Sequence, residues 1–401
     1  MWRNPSAAAR SWWAAHRTDL RPLLLALLFA APLLLMPLAR ATPAEYLWQR
    51  VDSWPGEHEV QRLITVPGAG APLYALGATG GLYISRDGAR TWARANIPFP
   101  SSPMSPVRVM DLAANTRNPA EAYLLVARDE SRPRPVVYIT RDGGVTWAAE
   151  SGLGPLRVRA LAYGPHGRDL YMVAPGDLYR FDHPETAGLD PAKLSVAADR
   201  WHIAPLDPRD EVSAMVVGAW DGTGASPGAR RFIYLPLKSG GMHVLRDDAG
   251  PQALDLPVAS ADTLSALVRQ QARIYAISPH TDRPTTVLVS TDRGVYASID
   301  GGATWFATAY SLRAKQVRAL HIDPTDGTIY AGLAGDGVYA SRDDGATWAR
   351  LGYGLGATTV LALAIGRDAG GQRVLYAGTG DGLWRVALSP SPGEPTPVAR
   401  P

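Results

Sequence analysis

Short apolar segments recur along this chain in groups of three, and consecutive groups are spaced by roughly 40–65 residues, as blades of a β-propeller are. The third segment of each group follows a turn residue in most copies. These third segments are 81–83, 135–138, 177–179, 241–244, 294–296, 337–339 and 382–384. The second segments are 73–76, 123–126, 170–173, 233–235, 287–289, 329–331 and 375–377. The first segments are 60–63, 107–110, 158–161, 212–215, 272–275, 317–320 and 360–363.

Seven such groups predict an all-β protein: a single seven-bladed β-propeller over residues 46–388, built with Asp-box hairpins and preceded by an N-terminal hydrophobic segment. The last group ends in the Pro-rich tail 389–401, which cannot form a strand. Residues 46–52 contain Trp-Gln-Arg, similar to the starts of other outer strands, so we expect them to close the ring. In the fifth group, 264–267 competes with 272–275 for the first strand.

One eight-residue pattern, S/T-x-D-[D/G]-x-x-T-W, occurs in four of the groups. Glycine supplies a backbone with positive φ, and the aspartate side chain can accept hydrogen bonds from the turn. We therefore interpret these aspartates as structural and not as catalytic groups. The residues of the pattern are Ser85, Asp87, Gly88, Thr91, Trp92, Thr140, Asp142, Gly143, Thr146, Trp147, Ser298, Asp300, Gly301, Thr304, Trp305, Ser341, Asp343, Gly345, Thr347 and Trp348.

This pattern resembles the Asp-box (BNR) repeat of sialidases, xyloglucan hydrolases and many non-enzymatic propellers. In blade number and architecture, the chain looks most like the photosystem II stability and assembly factor group of propellers. That resemblance implies a chaperone-like scaffold for membrane complexes, with an arginine-rich patch as the contact surface.

The first forty residues have the features of a membrane-targeting segment. A basic leader, 1–21, precedes an uncharged run at 22–39, which is longer than the usual signal-peptide core and slightly shorter than a typical spanning helix. We favour an uncleaved signal anchor over 22–41; the alternative is a signal peptide cleaved after Ala41, which would give a secreted protein. Either reading keeps the positive charge in the cytoplasm and places the propeller on the extracytoplasmic side.

Composition excludes several kinds of chemistry. The 401-residue chain has no cysteine, which removes disulfides, thiolate metal sites and cysteine nucleophiles. Its eight histidines are scattered, so no metal and no cofactor is predicted. A net charge of only +3, without basic runs that contain aromatic residues, predicts no nucleic-acid partner.

Arginines recur near the starts of the predicted first strands, and we expect them to gather around the mouth of the central channel. A guanidinium binds two oxygens at once, so such a group suits a carboxylate or a phosphate. Alternatively, each arginine pairs with a loop acid or stacks on an aromatic ring. The predicted ligand- or partner-binding residues are Arg62, Arg108, Arg159, Arg273 and Arg318.

The sequence favours an exported, membrane-anchored, non-catalytic platform for protein interaction or assembly, with the membrane contacted through residues 22–39. One alternative is a sialidase-like glycoside hydrolase, but the chain lacks the Arg-Ile-Pro motif of sialidases, and no Tyr–Glu nucleophile pair can be assigned. Xyloglucan hydrolases use two facing propellers, whereas this chain has one. A carbohydrate-binding propeller is the other alternative, so the predicted partner at the propeller face is a protein or a glycan.

Overall fold

A computed structural model shows an all-β chain arranged in seven antiparallel sheets, which confirms the predicted seven-bladed propeller. The residues that it describes are 46–56, 58–68, 70–98, 108–127, 135–150, 153, 156–165, 167–174, 177–182, 198–202, 212–219, 231–238, 242–247, 272–283, 285–308 and 310–388. The predicted leader 1–21, signal segment 22–41 and tail 389–401 lie outside these residues. Within the described part of the chain, no helix is long and apolar enough to cross a membrane.

Each sheet is one blade, numbered I to VII from the N-terminus. The first strands are β2 (Val60–Thr65), β6 (Arg108–Ala114), β10 (Ala160–Tyr163), β14 (Val216–Ala219), β17 (Ile274–Pro279), β21 (Val317–Ile322) and β25 (Val360–Arg367). The second strands are β3 (Leu73–Gly77), β7 (Ala122–Ala127), β11 (Asp169–Ala174), β15 (Arg231–Pro236), β18 (Val287–Thr291), β22 (Ile329–Leu333) and β26 (Arg373–Thr379).

The third strands are β4 (Leu82–Ser85), β8 (Val136–Thr140), β12 (Asp177–Asp182), β16 (Met242–Asp247), β19 (Gly294–Ser298), β23 (Val338–Ser341) and β27 (Gly382–Ala387). The outer strands are β5 (Ala93–Arg94), β9 (Ala148–Ala149), β13 (Ala198–His202), β20 (Phe306–Ala307), β24 (Ala349–Arg350) and β1 (Gln49–Arg50). Three strands of blade IV are among the described residues. A short 3-10 helix, Tyr310–Leu312, connects blades V and VI.

The N-terminal strand closes the ring, as the sequence predicts. β1 pairs antiparallel with β27, so that Gln49 lies opposite Arg385 and Arg50 lies opposite Trp384. The preceding Trp48 is 3% exposed, and its indole N–H donates a hydrogen bond to the Leu351 carbonyl at 2.8 Å. The first described segment of the chain therefore completes the last blade and covers the edge of β27.

Apolar side chains fill every junction between neighbouring blades. The described residues form seven buried clusters, and each one combines residues of two adjacent blades. In the cluster between blades VII and I, for example, Leu383 and Tyr376 pack with Val60 and Leu73. Each blade thus buries its two faces against its neighbours, which is why the ring must close for all seven clusters to form.

Three first strands begin two or more residues after their predicted starts. In blade III the strand is Ala160–Tyr163, whereas the predicted segment is 158–161. In blade IV the strand is Val216–Ala219, and Val212 makes only an isolated bridge to Leu237. In blade V the strand is Ile274–Pro279, which extends the predicted segment 272–275 toward the C-terminus. The competing segment 264–267 lies outside the described residues.

The four aspartate turns, which we define as residues 85–92, 140–147, 298–305 and 341–348, connect the third and outer strands of their blades. In the turn at 140–147, Asp142 accepts hydrogen bonds from the Thr140 hydroxyl at 2.8 Å and from the Thr146 hydroxyl at 2.6 Å. The same two bonds occur in the other three turns, with Asp87, Asp300 and Asp343 as acceptors. These carboxylates therefore stabilise the turns by accepting hydrogen bonds within them.

Candidate functional site

The antiparallel order of the strands divides the propeller into two faces. The first strands begin on one face, where the turns between second and third strands also lie; we call it the entry face. The aspartate turns lie on the opposite face. The first strands contact one another at each junction from blades II and III round to blades VII and I, so residues near their starts surround a common axis.

Bulges in the first strands show which positions are equivalent between blades. In β21, Val317 pairs with Leu333 and Ala319 with Gly332, which leaves Arg318 as the bulged residue. Arg159 holds the same position in blade III. Its amide donates a hydrogen bond to the Val173 carbonyl, and the next residue, Ala160, also pairs with Val173. Arg159 and Arg318 are therefore equivalent, in agreement with their shared second place in the predicted segments 158–161 and 317–320.

The other three arginines are not equivalent to these two. In blades II and V the bulged residues are Met110 and Tyr275, so Arg108 and Arg273 each lie two positions earlier. Arg62 lies one position after the bulged Gln61. Apolar spacing aligned Arg108 and Arg273 with Arg159 and Arg318, and this alignment was wrong by two residues, because apolar spacing alone does not reveal where a strand carries an extra residue. The spacing placed Arg62 one residue later than the others, and the structure agrees.

The Arg62 guanidinium is engaged within the fold. It forms an ion pair with Asp111 of blade II at 2.5 Å, and the Asp111 side chain is only 6% exposed. Asp111 also accepts a hydrogen bond from the Leu161 amide of blade III at 3.1 Å. One carboxylate thus links three blades, and Arg62, whose side chain is still 38% exposed, belongs to that link.

Blades V and VI bring two of the predicted arginines together over one aromatic ring. The guanidinium carbon of Arg318 lies 4.3 Å from the centroid of Tyr275, and that of Arg273 lies 5.8 Å from it. Stacking on a ring limits the rotamers of an arginine while leaving its N–H edges available for planar acceptors such as carboxylates. We call Arg273, Tyr275 and Arg318 the arginine–tyrosine cluster.

More positive charge lies around this cluster on the entry face. The turn between β18 and β19 adds Arg293, and the connection from blade V to blade VI adds Arg313, both of them exposed. The hydrogen bond with Asp336 holds the pKa of Lys315 above its usual range and the pKa of Asp336 below its own. This sector therefore presents an anion-attracting surface, formed mainly by arginine.

The two aspartates described near the cluster, Asp292 and Asp336, already accept hydrogen bonds from protein groups. Asp292 accepts a hydrogen bond from the backbone N–H of Arg273 at 3.0 Å. Asp336 accepts from the Lys315 ammonium at 2.5 Å and from the Tyr339 hydroxyl at 3.1 Å. A glycosidase acid needs a raised pKa to hold its proton, whereas the pKa of Asp336 is lowered. In the part of the chain that the structure describes, no group of three or more metal-ligating side chains forms a metal site.

Arg108 is the first residue of β6 in blade II, and Arg159 directly precedes β10 in blade III. Arg108 is exposed and Arg159 is half-buried. The Arg108 backbone lies against Gly80 of blade I, where an added Cβ would come within 2.9 Å of the Arg108 Cα, so the turn with positive φ at this site requires glycine.

Tyr275 and Asp111 are the two site residues that the sequence reasoning missed. Both are adjacent to arginines that it identified. A signal was present for Tyr275, since an aromatic residue in the Arg-Ile-Tyr segment 273–275 breaks the aliphatic pattern of the other first strands.

Acidification should destabilise this protein through His321 on β21. Burial lowers the pKa of this imidazole to about 4, whereas an unfolded histidine titrates near pH 6.5. The native state therefore keeps His321 neutral. This histidine does not reduce the free energy of unfolding above about pH 6.5, but it reduces it progressively as the pH falls toward 4. We expect a loss of roughly 2 kcal/mol over this window in urea unfolding.

The variant His321→Gln should remove the part of that dependence between pH 6.5 and 4 that His321 contributes, whereas His280, whose pKa burial also lowers, should retain its own part. The Asp142 carboxylate acts only at lower pH: burial would raise its pKa, but its hydrogen bonds from threonines outweigh burial and lower the pKa to about 2. Equal acid sensitivity of His321→Gln and the unsubstituted protein would contradict the assignment.

The fold and the cluster define the class of this protein: a seven-bladed β-propeller with a basic entry face. No family model matches the sequence, and no curated protein matches it. Many solved structures share its fold.

Two of the similar structures are propellers of YCF48. One is described as YCF48 bound to D1 peptide, with 13% sequence identity and a TM-score of 0.53 over 88% of this chain and 100% of that one. The other is YCF48 from Cyanidioschyzon merolae, with 16% identity and a TM-score of 0.52 over 85% of this chain and 98% of that one. At these identities the likeness shows the fold alone.

Proposed function

We propose that this protein is an exported, membrane-anchored and non-catalytic propeller that binds a protein partner on its entry face. In this proposal the four aspartate turns are Asp boxes, residues 22–41 form a retained signal anchor, and residues 46–388 form the binding domain on the extracytoplasmic side of the membrane. The uncharged run at 22–39 and the basic leader before it support the export and the anchor.

The observation that carries the proposal is the arginine–tyrosine cluster. Arg318 is positioned by its contact with Tyr275 at 4.3 Å, and a positioned guanidinium loses less conformational entropy when it binds a carboxylate. Exposed arginines on adjacent turns increase the attraction for an acidic segment. The nearby acids are used as hydrogen-bond acceptors, which supports binding over acid–base catalysis.

The fold is compatible with a peptide ligand, because one similar structure is of YCF48 bound to D1 peptide. That ligand is a property of that protein. For this chain, the chemistry of the cluster indicates a protein segment with glutamate or aspartate side chains, or with a free terminal carboxylate.

The proposal predicts that replacing Arg273, Arg293 and Arg318 with alanine weakens partner binding without unfolding the protein. As a probe we would use a fluorescent glutamate-rich peptide with a free C-terminal carboxylate, together with its glutamine counterpart, and measure fluorescence anisotropy. We expect the triple variant to bind the acidic peptide at least about tenfold more weakly, because arginine–carboxylate contacts at an interface are lost.

A matched control is available on the opposite face. Arg90, Arg141 and Arg342 are exposed and lie in aspartate turns, so their replacement with alanine removes the same charge. This control should change the affinity by less than about twofold at physiological salt, where separated surface charges are screened. If both triple variants lost the same affinity for the acidic peptide, net charge alone would explain the binding, and the assigned site would be wrong. Turnover of an aryl-glycoside by the purified protein would favour a hydrolase instead.

A further inference from the structure

Two exposed apolar side chains lie together where the described chain begins. The described residues include five large apolar side chains that are strongly exposed: Leu47, Val145, Ile299, Phe306 and Tyr353. Leu47 is 63% exposed and Tyr353 is 57% exposed, and the two residues form an isolated parallel bridge between segment 46–48 and the connection from blade VI to blade VII. The other three are in or directly after aspartate turns of blades II and V.

This pair is held firmly to the propeller. The Trp48 amide donates a hydrogen bond to the Tyr353 carbonyl at 2.9 Å, and the Tyr353 amide donates one to the Tyr46 carbonyl at 3.1 Å. Gly352 has a φ of +70°, and a Cβ at this position would lie 2.0 Å from the Tyr46 carbonyl oxygen. The close approach therefore requires glycine, and residues 46–48 are fixed to the loop that carries Tyr353.

The sequence places this exposed pair a short distance along the chain from the uncharged run. Eight residue steps separate Ala39, the last residue of that run, from Leu47. At about 3.5 Å per extended residue, the chain can span at most roughly 28 Å between them. If the run at 22–39 is a membrane anchor, this short connection keeps Leu47 near the bilayer surface.

We propose that Leu47 and Tyr353 form a docking surface for the interfacial region of the lipid bilayer, so that the outer edge between blades VI and VII contacts the membrane. This inference rests on the membrane anchor in the proposed function. Tyrosine is enriched at membrane interfaces, because its ring is apolar and its hydroxyl remains in the headgroup region. Arg50 and Arg350, exposed on the two neighbouring outer strands, supply charges for lipid phosphates.

The absence of cysteine permits a direct test with single-cysteine variants of the full chain. Leu47→Cys, Tyr353→Cys and, as the control, Val145→Cys would each carry an environment-sensitive fluorophore. Val145 is 58% exposed, but it lies in the aspartate turn of blade II. The labelled proteins would be reconstituted into vesicles of phosphatidylcholine with a minor share of phosphatidylglycerol, and the measurements would be flotation and quenching by iodide. Unchanged thermal unfolding would show that each variant is folded.

We expect all three variants to float with the vesicles, and we expect iodide to quench the labels at positions 47 and 353 roughly threefold less than the label at 145, because labels in the interface are shielded from water. Flotation with equal quenching at all three positions would overturn the docking surface and leave the anchor intact. Failure to float would overturn the anchor, and the docking surface with it.

Discussion

Trp48→Ala should lower the free energy of unfolding by about 3–5 kcal/mol, since it removes a large buried side chain from the junction that closes the ring. Trp48 is 3% exposed, packs with Leu351, Leu355 and Val386, and donates its indole N–H to the Leu351 carbonyl. Urea unfolding followed by circular dichroism measures the change. Deletion of residues 46–52 should go further and expose the edge of β27, which predicts aggregation.

The neighbouring Leu47→Ala is the matched control, because Leu47 is 63% exposed and its truncation should change the stability by less than about 0.5 kcal/mol. Removal of the tail 389–401 should also have little effect, because β27 ends at Ala387. If the chain without residues 46–52 stayed monomeric and as stable as the full chain, the closure would not contribute to stability as we argue.

Arg373→Met should destabilise the protein by a similar amount, about 3–5 kcal/mol, because it leaves a buried carboxylate without its partner. The Arg373 guanidinium of blade VII pairs with Asp323 of blade VI; their side chains are 4% and 0% exposed. Asp326 lies 3.6 Å from the same guanidinium. Burial already raises the pKa of Asp323, and without Arg373 this carboxyl group should take up a proton at a still higher pH.

Two further variants separate burial from simple loss of an ion pair. Arg283 and Asp344 form a bidentate ion pair between blades V and VI, but their side chains are 44% and 50% exposed, so Arg283→Met should cost less than about 1 kcal/mol. The double variant Arg373→Met with Asp323→Asn should recover part of the stability, because it removes the unpaired charge. Similar small losses for Arg373→Met and Arg283→Met would show that burial does not set the energy of these pairs.

The candidate site combines a part that could be read from the sequence with a part that could not. Arg273 and Arg318 were predicted as contact residues, and the structure places both near one ring. Stacking on an aromatic ring was the alternative expectation for each arginine, but Tyr275 was not identified as the ring, since a bulge in β17 makes Tyr275 the equivalent of Arg318. Arg62 was predicted either as a contact residue or as the partner of an acid, and the structure pairs it with Asp111.

The sequence by itself determined the number of blades, the closure by residues 46–52 and the positions of the aspartate turns. Each of these depends on short-range patterns, namely apolar segments of fixed period and turn residues at fixed offsets, which repeat and so can be recognised. The tertiary structure alone decided the register of the first strands and the pairs that cross between blades, such as Arg62–Asp111 and Arg373–Asp323. Their partners lie about 50 residues apart in sequence, and nothing local distinguishes such an arginine from one that faces solvent until the blades are packed.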